Sequence, residues 1–297
     1  MRDTFLKRVD KEILVMSGAM GTMLHKEGAN LGGCIAQWIV EHPQTYEELV
    51  REYFQVGCHI VAAATSTLNR ISLAKFGLAE KIEELNRGVI QIIKAIQPDQ
   101  GFVAGNIGPT GKLLKPMGEV SVDELLDAYG QQAQILAESG AEIINILTMY
   151  DLEEAVAALR AAKTRTSLPV IVSLAFNPAA KGYRTMMGVS PEVAAQRLQA
   201  EGADVIGANC GSLGLDQMTE VLQLMKTHCG KPLIAKPNAG SPQLVDGRET
   251  YPAGPELFAE HVGEWIEKRV RIVSGCCGTT PLHLKRVGDK VKELSQG

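Results

Sequence analysis

The stretch that reveals the architecture most clearly is Val270-Arg271-Ile272-Val273-Ser274-Gly275-Cys276-Cys277-Gly278-Thr279-Thr280-Pro281. It joins a short apolar run, a glycine-rich turn and the start of a helix. An apolar run without strict alternation of polar and apolar residues is typical of a strand that is covered on both faces. The unit therefore predicts a buried strand that is followed by a loop and a covering helix.

The same unit occurs eight times along the chain, which suggests a repeated strand–helix architecture. The predicted strands are Ile13–Met16, His59–Ala63, Phe102–Gly105, Glu142–Leu147, Pro169–Leu174, Asp204–Ala208, Pro232–Lys236 and Arg271–Val273. Apolar residues at three- and four-residue spacing predict helices at Tyr46–Val56, Ala79–Ile96, Val122–Ser139, Leu152–Lys163, Pro191–Glu201, Leu215–Thr227, Pro255–Glu267 and Pro281–Leu294.

Alternating strands and helices imply parallel pairing through right-handed crossovers. Eight units in 297 residues predict an α/β fold, a single (β/α)₈ TIM-type barrel that takes residues 1–297 as one domain. A doubly wound sheet is the alternative. It has less support, because no glycine-rich dinucleotide fingerprint follows the first strand.

The composition narrows the classes of function. The net charge is −4 and no basic cluster stands out, which argues against a nucleic-acid partner or an anionic membrane surface. No apolar run is long enough to span a membrane, and the charged N-terminus does not lead into a cleavable signal pattern. We therefore expect a cytoplasmic protein, whose six cysteines are thiols or metal ligands rather than disulfides.

Three of the cysteines are candidate metal ligands. Cys276 and Cys277 are adjacent, so a disulfide between them would be strained, whereas the flanking glycines let both bind one metal ion. Cys210 also ends an apolar run and is followed by glycine. In a barrel of this type the active site lies at the C-terminal ends of the strands, where all three residues fall. Three thiolates with an open fourth position predict a catalytic zinc site. The alternative is that they are ordinary buried cysteines.

The same rule selects further residues on the loops at this end of the barrel. The candidates for substrate contact are Ser17, Gly18, Ala19, Met20, Thr65, Asn106, Asn209 and Asn238. The glycine-rich loops allow close backbone approach to a ligand, and their N–H groups can hold an anion. For Asn209 and Asn238, capping of a turn is an equally good interpretation. Cys58 and Cys229 precede strands, so we expect them at the opposite end, in structural roles.

A zinc ion with three thiolate ligands is a modest Lewis acid that suits binding and activation of a substrate thiol. The expected reaction is alkylation of a thiol, with methyl transfer as the leading case. No pair of residues stands out as a general acid and base for hydrolysis.

The motifs resemble the homocysteine S-methyltransferase family, over nearly the whole chain. Besides the two cysteine motifs, the matching segments are Gly18-Ala19-Met20-Gly21-Thr22-Met23-Leu24, Ile107-Gly108-Pro109-Thr110-Gly111, Thr148-Met149-Tyr150-Asp151-Leu152-Glu153-Glu154-Ala155 and Lys236-Pro237-Asn238-Ala239-Gly240. The sequence is most similar to the homocysteine-binding module of cobalamin-dependent methionine synthases. The resemblance implies a zinc-dependent barrel that activates a thiol to accept a methyl group, with Cys210, Cys276 and Cys277 as ligands of the zinc.

Two positions depart from the family pattern. Ser17 stands where the family usually has an aspartate, and Leu147 stands where it usually has a glutamate. The family uses these carboxylates for the amino group of homocysteine, so the resemblance assigns both positions to the substrate site.

Three hypotheses about function follow. The first is a zinc-dependent S-methyltransferase that activates homocysteine or a related small thiol, with methyl transfer from a separate methyl-corrinoid protein. The second is transfer of a methyl group from a different methylated substrate to a corrinoid protein, which the loss of both carboxylates favours. The third is a zinc-storing or regulatory barrel without activity.

Overall fold

The computed structural model describes residues 2–30, 32–245 and 248–296. In that part of the chain, eight parallel strands form one sheet. They are β1 (Leu14–Val15), β2 (Ile60–Ala62), β3 (Phe102–Ile107), β4 (Ile143–Met149), β5 (Val170–Leu174), β6 (Val205–Asn209), β7 (Leu233–Lys236) and β8 (Val270–Val273). Their order in the sheet is β1-β8-β7-β6-β5-β4-β3-β2, and a parallel bridge between Met16 and Ile60 joins the two ends. The predicted (β/α)₈ barrel is confirmed.

The described helices surround the barrel, except the first of them, which closes one of its ends. They are α1 (Arg2–Lys11), α2 (Gly21–Lys26), α3 (Ile35–Glu41), α4 (Pro43–Gln55), α5 (Arg70–Ala74), α6 (Ile82–Ile96), α7 (Val122–Glu138), α8 (Leu152–Arg165), α9 (Pro191–Ala200), α10 (Leu215–His228), α11 (Pro255–Glu260), α12 (Val262–Glu267) and α13 (Pro281–Gln296). The helix predicted over Pro255–Glu267 is divided in two at His261, and a short 3₁₀ turn precedes α6. Among the described helices, none combines the length and the apolar character needed to cross a membrane.

The barrel interior is filled from its N-terminal end by α1, a helix that the sequence patterns did not predict. Phe5 and Val9 of α1 belong to the same buried cluster as inward residues of all eight strands. Phe5 packs edge-to-face on Phe102, with ring centroids 5.4 Å apart. The helix therefore seals one end of the barrel with apolar side chains, while the opposite end carries the loops that follow the strands.

Two small antiparallel hairpins rise from those loops. One pairs Asn177–Pro178 with Tyr183–Arg184, after β5, and the other pairs Gln243–Val245 with Arg248–Thr250, after β7. Both lie at the C-terminal side of the barrel, so they form part of the rim around its mouth.

Candidate metal centre and substrate cavity

A cavity of about 390 Å³ opens at the C-terminal ends of the strands. Its wall is formed by Gly18, Ala19, Met20, Gly21, Thr22, Ile35, Ala62, Ala64, Ser66, Thr67, Asn106, Leu147, Thr148, Cys210, Lys236, Tyr251, Cys276 and Cys277. Most of these residues are small or apolar. The polar wall residues besides the cysteines include Asn106, Thr148 and Lys236.

The three candidate ligands meet in this cavity. Their sulfur atoms all lie within 4.8 Å of one another, and Sγ of Cys210 is 4.0 Å from Sγ of Cys277. All three are free thiols. A tetrahedral zinc ion with Zn–S bonds of about 2.3 Å requires sulfur atoms about 3.8 Å apart. The positions therefore suit one metal ion with three protein ligands, and the shared cavity supplies space for a fourth ligand from the substrate.

Asn238 links the two loops that carry the cysteines. Its side-chain amide donates to the carbonyl oxygen of Gly211 at 2.9 Å, and its Oδ1 accepts from the backbone N–H of Cys277 at 3.2 Å. Thr279 makes a second link, since its hydroxyl donates to the carbonyl of Cys276 and accepts from the N–H of Ala19. These bonds hold the cysteine loops against each other and against the loop after β1.

The backbone at Cys210 is strained in a way that aims its side chain. Cys210 has φ of 56° and Thr148 has φ of 60°, which is the left-handed region that residues with a side chain rarely adopt. Asn209 fixes Thr148, because it accepts from the backbone N–H of Thr148 and donates to its hydroxyl, both at 2.7 Å. Gly211 follows with φ of 69° and has no room for a Cβ, which would lie 2.1 Å from the carbonyl of Phe176. Such strain is typical of functional sites.

The thiols differ in acidity because they contact one another. The hydrogen bond from Cys210 holds the pKa of Cys276 well below its usual range, and that bond raises the pKa of Cys210. The amide of Asn209 lies 4.0 Å from the sulfur of Cys276 as a further donor. Cys276 is therefore the thiol that carries negative charge most readily, which is the form that binds a metal.

Apart from the thiols and the Tyr251 hydroxyl, Lys236 has the one titratable side chain among the described residues of the cavity wall. It is 4% exposed, and burial lowers the pKa of its ammonium group, while the three cysteines act in the opposite direction. Lys236 begins the motif Lys236-Pro237-Asn238-Ala239-Gly240, and the sequence alone predicts no role for it. Its inward direction depends on the alternation along β7, which places it on the same face as the buried Ile234.

The predicted substrate contacts divide into two groups. Five residues line the cavity, namely Gly18, Ala19, Met20, Asn106 and Leu147. The other four, Ser17, Thr65, Asn209 and Asn238, are buried and bonded to protein groups. For example, the hydroxyl of Ser17 accepts from the N–H of Ala62, and that of Thr65 bridges the N–H and carbonyl of Asn106. The contacts of all nine with a substrate stay predictions.

Thr148 and Tyr251 are among the wall residues that were not predicted from the sequence as site residues. Thr148 lies near the end of β4, and its position depends on Asn209 at the end of β6, whose amide also lies 4.0 Å from the sulfur of Cys276. Tyr251 follows the hairpin after β7 and hydrogen-bonds to Cys277. A Cβ at Gly278 would lie 2.4 Å from the Tyr251 side chain, which explains the glycine there. No periodic pattern marks either residue, because both are placed by long-range contacts.

The comparisons with known proteins agree with this geometry. The family model for homocysteine S-methyltransferase matches residues 14–291. Methionine synthases of Mycobacterium leprae and Mycobacterium tuberculosis are each 29% identical to the chain, over 98% and 97% of its length. The chain spans only 25% of the length of these two relatives.

The solved structures extend the likeness to the fold. The metallated form of the homocysteine methyltransferase MmuM from Escherichia coli is similar with a TM-score of 0.78 and 20% identity. That likeness covers 95% of this chain and 98% of the other. At this level of identity it supports the barrel architecture. The match to the family model covers most of the chain and confirms the resemblance that the motifs indicated. The chain belongs to the homocysteine S-methyltransferase family.

Proposed function

We propose that the chain is a zinc-dependent S-methyltransferase, built as a single barrel over residues 1–297, that activates homocysteine or a related small thiol for methyl transfer. Cys210, Cys276 and Cys277 hold the zinc. The observation that carries the proposal is the convergence of their three sulfur atoms within 4.8 Å at the wall of a cavity. When bound, zinc lowers the pKa of a substrate thiol and keeps it as a reactive thiolate.

The protein residues around the cysteines have separate tasks. Asn238 and Thr279 keep the two cysteine loops at a fixed separation. Asn209 directs an amide donor toward Cys276. Apolar wall residues such as Met20 and Leu147 keep water away from the sulfur atoms, which strengthens the electrostatic interactions inside the cavity. Together these groups hold a thiol in one orientation, with its sulfur toward the cysteines.

The methyl donor in this proposal is a separate methyl-corrinoid protein. The proposal is supported by the resemblance to a module of cobalamin-dependent methionine synthases and by the large size of the two relatives named methionine synthase. Exposed apolar side chains on loops after β3, β5 and β7 are also consistent with a protein that covers the mouth. They are Leu113, Met117, Met186 and Leu244.

A second candidate function has its own supporting observation. Neither Ser17 nor Leu147 offers a carboxylate, and the Ser17 hydroxyl already accepts from Ala62. A substrate without an amino group fits such a wall better than homocysteine does. In this case the protein takes the methyl group of a different methylated compound and passes it to the corrinoid protein.

The experiment that tests the proposal measures metal and methyl transfer together. Zinc content and affinity are determined by competition with a chelator for the wild-type protein, for Cys276→Ser and for Cys229→Ser. Cys229 is the matched control, because it is a buried cysteine that precedes β7, at the other end of the barrel. We expect one zinc per chain in the wild type and in the control, and a loss of affinity of more than about 100-fold in Cys276→Ser.

Methyl transfer from methylcobalamin to a thiol is then followed by mass spectrometry with the same three proteins. We expect thioether product from the wild type and from Cys229→Ser, and none from Cys276→Ser. Full activity of Cys276→Ser, or activity of the wild type after complete removal of zinc, would refute the proposed role of the three cysteines.

A further inference from the structure

A second cavity, of about 660 Å³, opens at the N-terminal end of the barrel. It lies between the loop that joins α1 to β1, the turns that precede β2 and β3, and the last turns of α13. It is larger than the cavity at the cysteines and shares no residue with it. The proposed methyl transfer gives this second cavity no role.

Part of the wall of the second cavity is apolar. The side chains of Ile13, Val15, Val56 and Val291 contribute to it. Gly288, on α13, leaves part of the space open, since a Cβ at this position would meet no atom closer than 4.0 Å. Pockets with such walls bind ligands that bring an apolar body, while a few polar groups fix the orientation.

His59 supplies a hydrogen-bond donor to this wall. Its Nδ1 accepts from the backbone N–H of Val15 at 3.0 Å, so this nitrogen carries no proton. Burial lowers the pKa of His59, and Arg8 acts in the same direction, so the ring is neutral at pH 7 and its proton lies on Nε2. Within the described part of the chain, Nε2 has no hydrogen-bond acceptor. It is a half-buried donor that a ligand can satisfy.

The charged groups of the wall favour an anion. Glu12 is the one acidic residue among the described residues of the wall, and Arg8 engages both of its carboxylate oxygens, at 2.6 and 3.2 Å. Lys11 and Lys292 are exposed, and neither has an ion-pair or hydrogen-bond partner in the part of the chain that the structure describes. Lys292 also lowers the pKa of His59, so its charge acts on the ring. One neutral donor and two unpaired cations beside an apolar wall suit an organic anion.

We propose that this cavity is a second binding site, for a small organic carboxylate with an apolar body. The carboxylate accepts from Nε2 of His59 and pairs with Lys11 and Lys292, while the apolar body packs on Val15 and Val291. The site does not depend on the proposed function, because it shares no residue with the cavity at the cysteines.

A ligand at this site contacts the seam at which the barrel closes. The backbone N–H of His59 donates to the carbonyl oxygen of Val15 at 2.8 Å, and the bridge between Met16 and Ile60 follows directly. The wall is assembled from four segments that are distant in sequence, so the site exists only in the folded chain. A ligand that binds only the folded chain raises its stability.

The test uses four probes that separate the anion from the apolar body. Octanoate carries both, 1-octanol carries the chain without a charge, octylammonium carries the chain with a positive charge, and acetate carries the anion alone. Each is titrated by calorimetry into the zinc-loaded protein. The Nε2 resonance of His59 is followed by NMR of protein with ¹⁵N-labelled histidine, and His59→Gln identifies this resonance by its loss.

The variants block the space or remove the charge. Gly288→Leu fills the cavity from α13, and Gly263→Leu is its matched control, because Gly263 is a helical glycine outside the cavity whose Cβ would lie 3.8 Å from the nearest atom. Lys11→Met combined with Lys292→Met removes both cations. Lys112→Met combined with Lys285→Met is the matched control, because both residues are exposed and lie outside the wall.

We expect the wild type to bind octanoate at least tenfold more tightly than the other three probes, with a shift of the His59 resonance and a higher urea midpoint. Gly288→Leu should weaken octanoate binding at least tenfold and abolish the change in midpoint, whereas Gly263→Leu should bind as the wild type does. The double lysine variant should reduce the preference for octanoate over 1-octanol to less than threefold, and its control should retain the preference.

The inference is wrong if octanoate does not bind, if it binds no more tightly than 1-octanol or octylammonium, or if its affinity is unchanged in Gly288→Leu. Cys276→Ser should bind octanoate as the wild type does, and a loss of binding in this variant would place the ligand at the cysteines and overturn the inference as well. If Gly288→Leu does not fold, the His59 resonance and the double lysine variant still decide. None of these results depends on zinc affinity or methyl transfer, so the inference and the proposed function can fail separately.

Discussion

Glu154 is the residue at which the structure makes its sharpest prediction about stability. It is 1% exposed, in the first turn of α8, and its Oε1 accepts three hydrogen bonds. The donors are the backbone N–H of Thr110 at 2.8 Å, the hydroxyl of Thr110 at 2.6 Å and the hydroxyl of Tyr129 at 2.8 Å. Through these bonds α8 holds the loop that follows β3, which begins beside the cavity.

The expected cost of removing this carboxyl group can be worked from its partners. In Glu154→Ala the Tyr129 hydroxyl keeps an acceptor, the carbonyl of Gly108 at 3.2 Å, whereas the N–H of Thr110 is left without its bond. An orphaned buried donor costs about 1–3 kcal/mol, and the space left by the side chain adds to this. We expect a loss of about 3–4 kcal/mol in the free energy of unfolding.

Glu154→Gln separates the hydrogen bonds from the charge. Its Oε1 can keep all three donors, while its amide N–H groups take the place of Oε2, which has no partner among the described residues. The cost should be about 1–2 kcal/mol, because two buried donors without acceptors cost about 1–3 kcal/mol each and removal of a buried charge with an unpaired oxygen offsets part of this.

The assay is urea denaturation followed by circular dichroism, at pH 7 and constant temperature. The change in the urea midpoint is converted to a change in the free energy of unfolding with one m-value for all variants. Glu153→Ala is the matched control, because this neighbour is exposed and should change stability by less than about 0.5 kcal/mol. A loss below 1 kcal/mol in Glu154→Ala, or a larger loss in Glu154→Gln than in Glu154→Ala, would refute the reasoning.

Two further predictions concern the N-terminal end of the barrel. Phe5→Ala empties the space that α1 fills against Phe102, so we expect a loss of about 3–5 kcal/mol in the free energy of unfolding by urea titration, and a loss below 1 kcal/mol would mean that α1 does not seal the barrel. Burial, together with Arg8, lowers the pKa of His59 in the folded protein, where its Nδ1 accepts from the N–H of Val15. The unfolded chain then binds more protons below about pH 6.5, so stability should fall as the pH drops from 7 toward 5. His59→Gln keeps an acceptor for Val15 and should flatten this dependence in urea midpoints at the two pH values, and an unchanged slope would contradict the assignment.

The barrel was predictable because its signals are local. Each strand is a short apolar run, and most of the loops that follow the strands are rich in glycine, asparagine, proline or small residues. The helix α1 was not predicted, because its sequence is dominated by charged residues and offers only Phe5, Leu6 and Val9 as apolar contacts. Its burial is a tertiary effect, since the open end of a barrel provides the surface that these residues cover.

The part of the candidate site that follows directly from the barrel architecture could be predicted from the sequence, because the active site of such a barrel lies at the C-terminal ends of its strands. The three cysteines follow strands, and the C-terminal ends of parallel strands share one edge, so their convergence could be expected. Lys236 could not be selected in the same way, because a lysine at the end of a strand is usually exposed. Its inward direction becomes visible only when the alternation along β7 is considered together with the burial of Ile234 and Lys236.

Along at least two strands, one inward-facing side chain is apolar and the next inward-facing side chain, two residues later, is polar. Ile234 is followed two residues later by Lys236, and Ile143 by Asn145, whose side chain bonds to Asn106. The lower layer is apolar, and together with α1 it keeps the barrel closed whatever the substrate is. The upper layer carries the donors and the cation. A substitution in the upper layer can therefore alter the floor of the site, while the apolar lower layer and α1 maintain the fold beneath the loops that carry the three cysteines.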